Sequence, residues 1–203
     1  MDGKEELIIT DEFIYTPHND HKVMHVCETS IMKKQAEITT KNGGDILEVG
    51  FGMHISADFI TNNPNVTSYT VIEIHPQQYE RALQWAKTKT IPVTVILGDW
   101  IDVLPKLDKK FDGIFFDTDT DGRITKFLDK ATPNCKEGTI VTFYTYYVYD
   151  TRLTPVTIAY TDEEFNDLPE TWKKNKYFSG KSYTIYYTTY DGQYFYSDGV
   201  KLI

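Results

Sequence analysis

The chain has 203 residues, with 21 Lys plus Arg against 30 Asp plus Glu and a formal charge of −9, which is room for one well-buried domain and too little for two. The acidic balance excludes a nucleic-acid backbone or an anionic membrane as the main partner, because both call for a basic face, and it suits a small cationic substrate. Two cysteines, Cys27 and Cys135, cannot build a disulfide framework or a zinc site, and no run reaches membrane-spanning length.

In chain order, the sequence opens with an arm, residues 1–27, whose start MDGKEELIIT lacks the layout of a signal peptide. The remainder, 28–203, reads as a single domain with the arm as a lid over its active site. Cytoplasm is the expected compartment, and monomer or homodimer the expected state. Apolar runs then alternate with amphipathic segments, the pattern of a parallel sheet covered by helices. A helix over Glu28–Thr40 precedes a strand at Asp45–Val49, and a helix over His54–Thr61 a strand at Tyr69–Ile74. Next come a helix over Pro76–Lys87, strands at Val93–Leu97 and Asp112–Phe116, a short helix at Ile124–Ala131 and a strand at Gly138–Tyr144. The helix predicted over Asp162–Lys173 starts with a capping box, in which Thr161 and Glu164 each satisfy an orphan backbone amide. The Tyr- and Thr-rich tail is broken by Asp191-Gly192, a strong hairpin signal. The fold class is therefore α/β and Rossmann-like, a mostly parallel seven-stranded sheet ending in an antiparallel hairpin.

The stretch GGDILEVGFGMHIS runs from a strand through Gly50-Phe51-Gly52 into a helix, placing bare backbone where a ligand or the next helix must approach. A dinucleotide would want a third glycine for its pyrophosphate, but Ile55 stands there. Glu73 ends the next strand, placed to accept from both hydroxyls of a ribose. After the third strand, Asp99 offers a carboxylate to an exocyclic amine and Trp100 a ring for an adenine face. In that order at the carboxyl ends of successive strands, these residues predict S-adenosylmethionine, with S-adenosylhomocysteine (SAH) as product, in a class I methyltransferase. Singly, each has a plainer reading: Gly-x-Gly is often a tight turn, and Phe51 and Met53 are simple core residues.

The fourth strand should supply the chemistry. Enzymes that methylate nucleobase amines place an Asp or Asn followed by prolines and a stacking aromatic here; this chain has Asp117-Thr118-Asp119. A carboxylate without a stacking ring suits a cationic nitrogen. The plainer alternative is a hydrophilic turn over 117–121, and Asp119 and Asp121 read as turn residues.

The segment VMHVCETSIMKKQAEITTKNGGDILEVGFGMHIS resembles the guanidinoacetate N-methyltransferase family, and the similarity continues through VIEIH and GDWIDVLPKLDKKFDGIFFDT. The resemblance implies a guanidino-directed N-methyltransferase in which Glu28 and Asp117 hold the guanidinium, Asp117 as base and Glu28 as orienting partner. It implies a cofactor lined by Met24 and Met32, by the loop Gly50, Phe51, Gly52, Met53, His54, Ile55 and Ser56, by Glu73, Ile74 and His75, by Asp99 and Trp100, and by Asp117. No metal is implied. The physics agrees: a guanidinium presents its donors in a planar fork that two carboxylates can grip, and its high pKa calls for a base as the new bond forms. Without the resemblance, Glu28 reads equally as a solvated residue at a helix start, and the two methionines as core fillers.

The chain also departs from the family. Asp119 stands where the family has a tyrosine followed by proline, and a histidine-bearing segment is missing before the fifth strand. For the far end of the substrate the candidates are Thr145, Tyr146 and Tyr147, with Arg123 more distant. Guanidinoacetate-like compounds, arginine and agmatine fit the expectation. The alternatives are a protein or peptide arginine, another amine, or a partner subunit that holds the cofactor without turnover.

Overall fold

Residues 5–17, 21–118, 123–144, 151–168, 170–173 and 181–197 are described in a computed structural model of the chain. The five runs expected as parallel strands are β4 (Gly44–Val49), β5 (Val66–Glu73), β6 (Val93–Leu97), β7 (Phe111–Phe116) and β8 (Cys135–Phe143). They pair in parallel in the order β8-β7-β4-β5-β6. Both faces are covered by helices, which is why the strands read as nearly unbroken apolar runs. The tail adds β10 (Ser182–Tyr190), antiparallel to β8, and β11 (Phe195–Tyr196), which folds back on β10 through the Asp191-Gly192 turn.

An eighth strand was not foreseen: β9 (Thr154–Ala159) pairs antiparallel with β10. The run contains Pro155, and proline is tolerated on an edge strand; among the described residues β9 is bonded on one side only. The arm also carries strands. Here β1 (Ile8–Ile9), β2 (Phe13–Thr16) and β3 (His21–His25) form a separate antiparallel sheet.

The helices are α1 (Thr29–Thr39), α2 (Ile55–Thr61), α3 (Pro76–Ala86), α4 (Trp100–Val103), α5 (Ile124–Ala131), α6 (Asp162–Asp167) and α7 (Glu170–Lys173). α1 starts one residue later than expected, and Glu28 instead ends a 3-10 turn over Val26–Glu28 that precedes it. The single helix expected over Asp162–Lys173 is two, because Leu168 turns extended (ψ 139°). Pro169 follows it, and a residue before proline is pushed out of the helical region. The capping box at Thr161 and Glu164 is reciprocal. One face of the sheet packs Ile31, Ala36, Ala57, Ile60 and Ala82 against Ile46, Tyr69 and Val71. The other packs Trp100, Leu104, Phe127 and Leu128 against Leu47, Val49, Ile114 and Phe116. No helix among the described residues is long and apolar enough to cross a membrane.

Candidate active site

The central strand β4 sits between β5 and β7, with Val49 beside Ile72 on one side and Phe116 on the other. The chain leaves β4 toward β5 and leaves β7 toward β8, in opposite directions, so a crevice opens at the carboxyl ends of β4 and β7. The next residues along the three strands are Gly50, Glu73 and Asp117, and register alone brings them together.

The two loop glycines are required by neighbouring chain. Gly50 has φ +91°, and a side chain there would meet the Asp117 carbonyl oxygen at 2.5 Å. At Gly52, φ +50°, it would meet Met24 Sδ at 2.5 Å. The same sulfur accepts the Met53 N–H at 3.1 Å, so the arm is fastened to the loop. Gln78 Nε2 donates to the Gly52 carbonyl at 3.0 Å. His54 holds a left-handed backbone (φ 58°) as it enters α2, with Nδ1 2.8 Å from Asp58. Such a conformation in a non-glycine residue persists only where the surroundings enforce it. Phe51 is core, packed edge-on against Trp85. Ile55 and Ser56 form the first turn of α2.

Glu73 is buried and aligned by main chain: Oε2 accepts the Phe51 N–H at 2.8 Å and Oε1 the His75 N–H at 2.7 Å. Each oxygen keeps a lone pair. Burial raises its pKa, and the two amides oppose that rise. Ile74 and His75 carry the chain into α3, which His75 caps by accepting the Gln77 N–H on Nδ1. The proton is therefore on Nε2, which donates to the Glu5 carbonyl of the arm.

Glu28 and Asp117 are brought together. Burial, reinforced by the charge of Asp117, pushes Glu28 up to about 8, against the pull of the His25 N–H bonded to its Oε1 at 2.8 Å. Burial pushes Asp117 up to about 7. None of the ion pairs among the described residues involves Glu28, Glu48, Glu73 or Asp117.

Two expectations need adjustment. Met32 is 0% exposed inside the apolar core, as α1 turns that position toward the sheet; it cannot line an open site, whereas Met24 does border the loop. The Trp100 ring is 5% exposed, wedged edge-on against Phe116 and Phe127, because α4 lies down on the far face; it builds the wall and offers no free platform. Asp99 Oδ1 caps α4, accepting the Ile101 N–H at 2.9 Å. Arg123 is exposed at the start of α5. Thr145, Tyr146 and Tyr147, like Asp119 and Asp121, lie outside the described residues.

Two contributors were missed. Tyr69 reads as an ordinary strand residue and Glu48 as part of an apolar run, yet the Tyr69 and Ser56 hydroxyls both donate to the buried Glu48 carboxylate. An acid among core positions of a strand was the available signal.

The residues fit S-adenosylmethionine. A carboxylate aligned by two amides suits a pair of vicinal hydroxyls, acids without a lysine or arginine suit a cation, and the glycine loop has no third glycine for a pyrophosphate. When bound, that cofactor supplies a methyl group carried on a sulfonium.

Solved structures with the same fold include an O-methyltransferase from Bacillus cereus in complex with SAH, 12% identical with a TM-score of 0.56 over 79% of this chain and 80% of that one. The N-methyltransferase NodS from Bradyrhizobium japonicum WM9 is 13% identical, with a TM-score of 0.57 over 80% and 96%. In sequence, the chain is 32% identical over 126 residues to protein arginine N-methyltransferase 2 of Yarrowia lipolytica, 57% of this chain and 26% of the relative. It thus spans about a quarter of that protein's length. Residues 18–131 match guanidinoacetate N-methyltransferase, over the glycine loop, Glu28, Glu73 and Asp117 alike, and the chain belongs to that family.

Proposed function

We propose that the chain is an S-adenosylmethionine-dependent N-methyltransferase whose acceptor is a guanidino nitrogen of a small cation. The observation that carries this reading is the opposed pair Glu28, buried, and Asp117, half-buried, mutually repelling and without a basic partner among the described residues. A guanidinium relieves that repulsion and satisfies both carboxylates through its planar donors. Glu28 is held by the His25 amide and fixes the plane of the acceptor. Asp117 lies one residue past β7, at the crevice, and takes the proton that the acceptor nitrogen loses as the new N–C bond forms. The methylated product keeps its positive charge, still matched by Glu28. The arm, residues 1–27, acts as a lid: it is pinned to α3 through the Glu5 carbonyl and through the Leu7 amide on Gln77, and to the loop through Met24.

A second reading, an arginine in a peptide or protein, is favoured by the likeness to a protein arginine N-methyltransferase. One assay separates them. SAH release is followed with guanidinoacetate, arginine, agmatine, an arginine peptide, a simple amine and no acceptor. Turnover on a small guanidine is the expected result; turnover confined to the peptide moves the assignment to the second reading, and none on any guanidine overturns both.

A further inference from the structure

We infer that Arg81 is a positioning residue for the cofactor loop and that it acts through Gln78. The inference rests on the assignment of the loop 50–56 to S-adenosylmethionine and concerns two side chains of α3 that the proposed reaction leaves unused.

Gln78 is buried and its amide is engaged on both sides: Nε2 donates to the Gly52 carbonyl at 3.0 Å, and Oε1 accepts from Arg81 Nη1 at 2.6 Å, one helical turn further along α3. Among straight side chains of that length, only an amide presents a donor and an acceptor at once. Glutamate would set an oxygen against the Gly52 carbonyl, and an apolar residue would leave both partners without their bond. The amide has two orientations, and Arg81 selects between them. A guanidinium only donates and keeps its proton, so it holds Oε1 and turns Nε2 toward the loop. The bond is charge-assisted, and by polarising the amide it makes Nε2–H a stronger donor. Arg81 is half-buried and forms no ion pair among the described residues.

The loop needs such a hold. Gly52 has φ +50° and no side chain, so sterics alone do not fix the peptide that joins it to Met53. That peptide is fastened at both ends, the carbonyl by Gln78 of α3 and the N–H by Met24 Sδ of the arm at 3.1 Å. A thioether is a weak acceptor, so the carbonyl end supplies the firmer hold. Fixing this peptide decides how the neighbouring backbone faces the cofactor, and it couples an arginine on α3 to affinity in the crevice.

The test is calorimetric binding of SAH, without acceptor, to the wild-type chain, Arg81→Met, Arg81→Lys, Gln78→Leu and the double variant, with the melting temperature of each ligand-free protein measured alongside. Gln78→Leu should weaken SAH about tenfold, as expected when a hydrogen-bonded carbonyl loses its donor. Arg81→Met should weaken it about threefold and Arg81→Lys less than about twofold, because an ammonium still donates to Oε1. In the Gln78→Leu background, Arg81→Met should add nothing further, a coupling that two independent structural losses do not produce. An equal loss from Arg81→Met in both backgrounds overturns the inference, as does a lowered melting temperature with unchanged affinity, and either leaves the cofactor reading intact. If the wild-type chain binds no SAH, both fall. Should Gln78→Leu fail to fold, the arginine variants decide: recovery of affinity by lysine supports the inference, and an equal loss in the two overturns it.

Discussion

Asp117 makes the sharpest demand at the scale of a single residue. As the acceptor of a proton it must be ionised, and burial holds its pKa at about 7. The expected profile of kcat/KM for the acceptor in the free enzyme therefore rises through pH 7, as Asp117 ionises, keeps rising to about pH 8, as Glu28 follows, and levels above that. Asp117→Asn should lower kcat by about 10²–10⁴, the usual worth of a placed base, while S-adenosylmethionine binds within a few-fold of wild type. An unchanged kcat would remove the residue from the chemistry. Glu28 and Glu48 add a second dependence. Both are raised from 4.5 to about 8, so across that window the unfolded chain has lost protons that the folded chain still holds, and stability falls as pH rises. The melting temperature of the ligand-free protein should drop between pH 6 and 8.5, with a shallower slope for Glu28→Gln. Gly50→Ala combines a left-handed backbone with a contact of 2.5 Å on the Asp117 carbonyl; it should cost ~1–3 kcal/mol in denaturant unfolding and weaken cofactor binding as well. Glu73 and Asp117 were legible in the sequence because each ends a strand, and strand ends converge in this fold. Tyr69, Met32 and Trp100 were not, since the face a side chain occupies depends on partners distant in sequence.

At the scale of elements, periodicity located all five parallel strands to within a few residues. It failed where an element depends on a neighbour. β9 is half-exposed, contains Pro155 and exists through its pairing with β10; the arm's strands are two to five residues long and stabilise one another. Turn chemistry fared better, since Asp191-Gly192 and the capping box act within four residues. The box is exposed, and Thr161→Ala should cost about 1 kcal/mol. That lowers the melting temperature by about 2–4 °C and leaves turnover unchanged. A larger loss would mean that α6 supports the sheet beyond its own cap.

At the scale of the whole molecule, a charge of −9 and a crevice whose carboxylates have no basic partner among the described residues work in the same direction. Long-range attraction should draw in a small cation, and salt should screen it. Raising ionic strength from about 20 to 200 mM should lower kcat/KM for a guanidinium acceptor about two- to three-fold with little change in kcat. A neutral acceptor should show no such trend, and a salt-independent kcat/KM would count against steering.

Strand β3 runs directly into the 3-10 turn that carries Glu28. Within five consecutive residues, the sulfur of Met24 touches the cofactor loop and the carboxylate of Glu28 faces Asp117. Donor and acceptor are thus gauged by one length of chain, with no joint between the two marks. One residue inserted after Met24 would put sulfur and carboxylate out of step, so no single placement of the arm could serve both substrates.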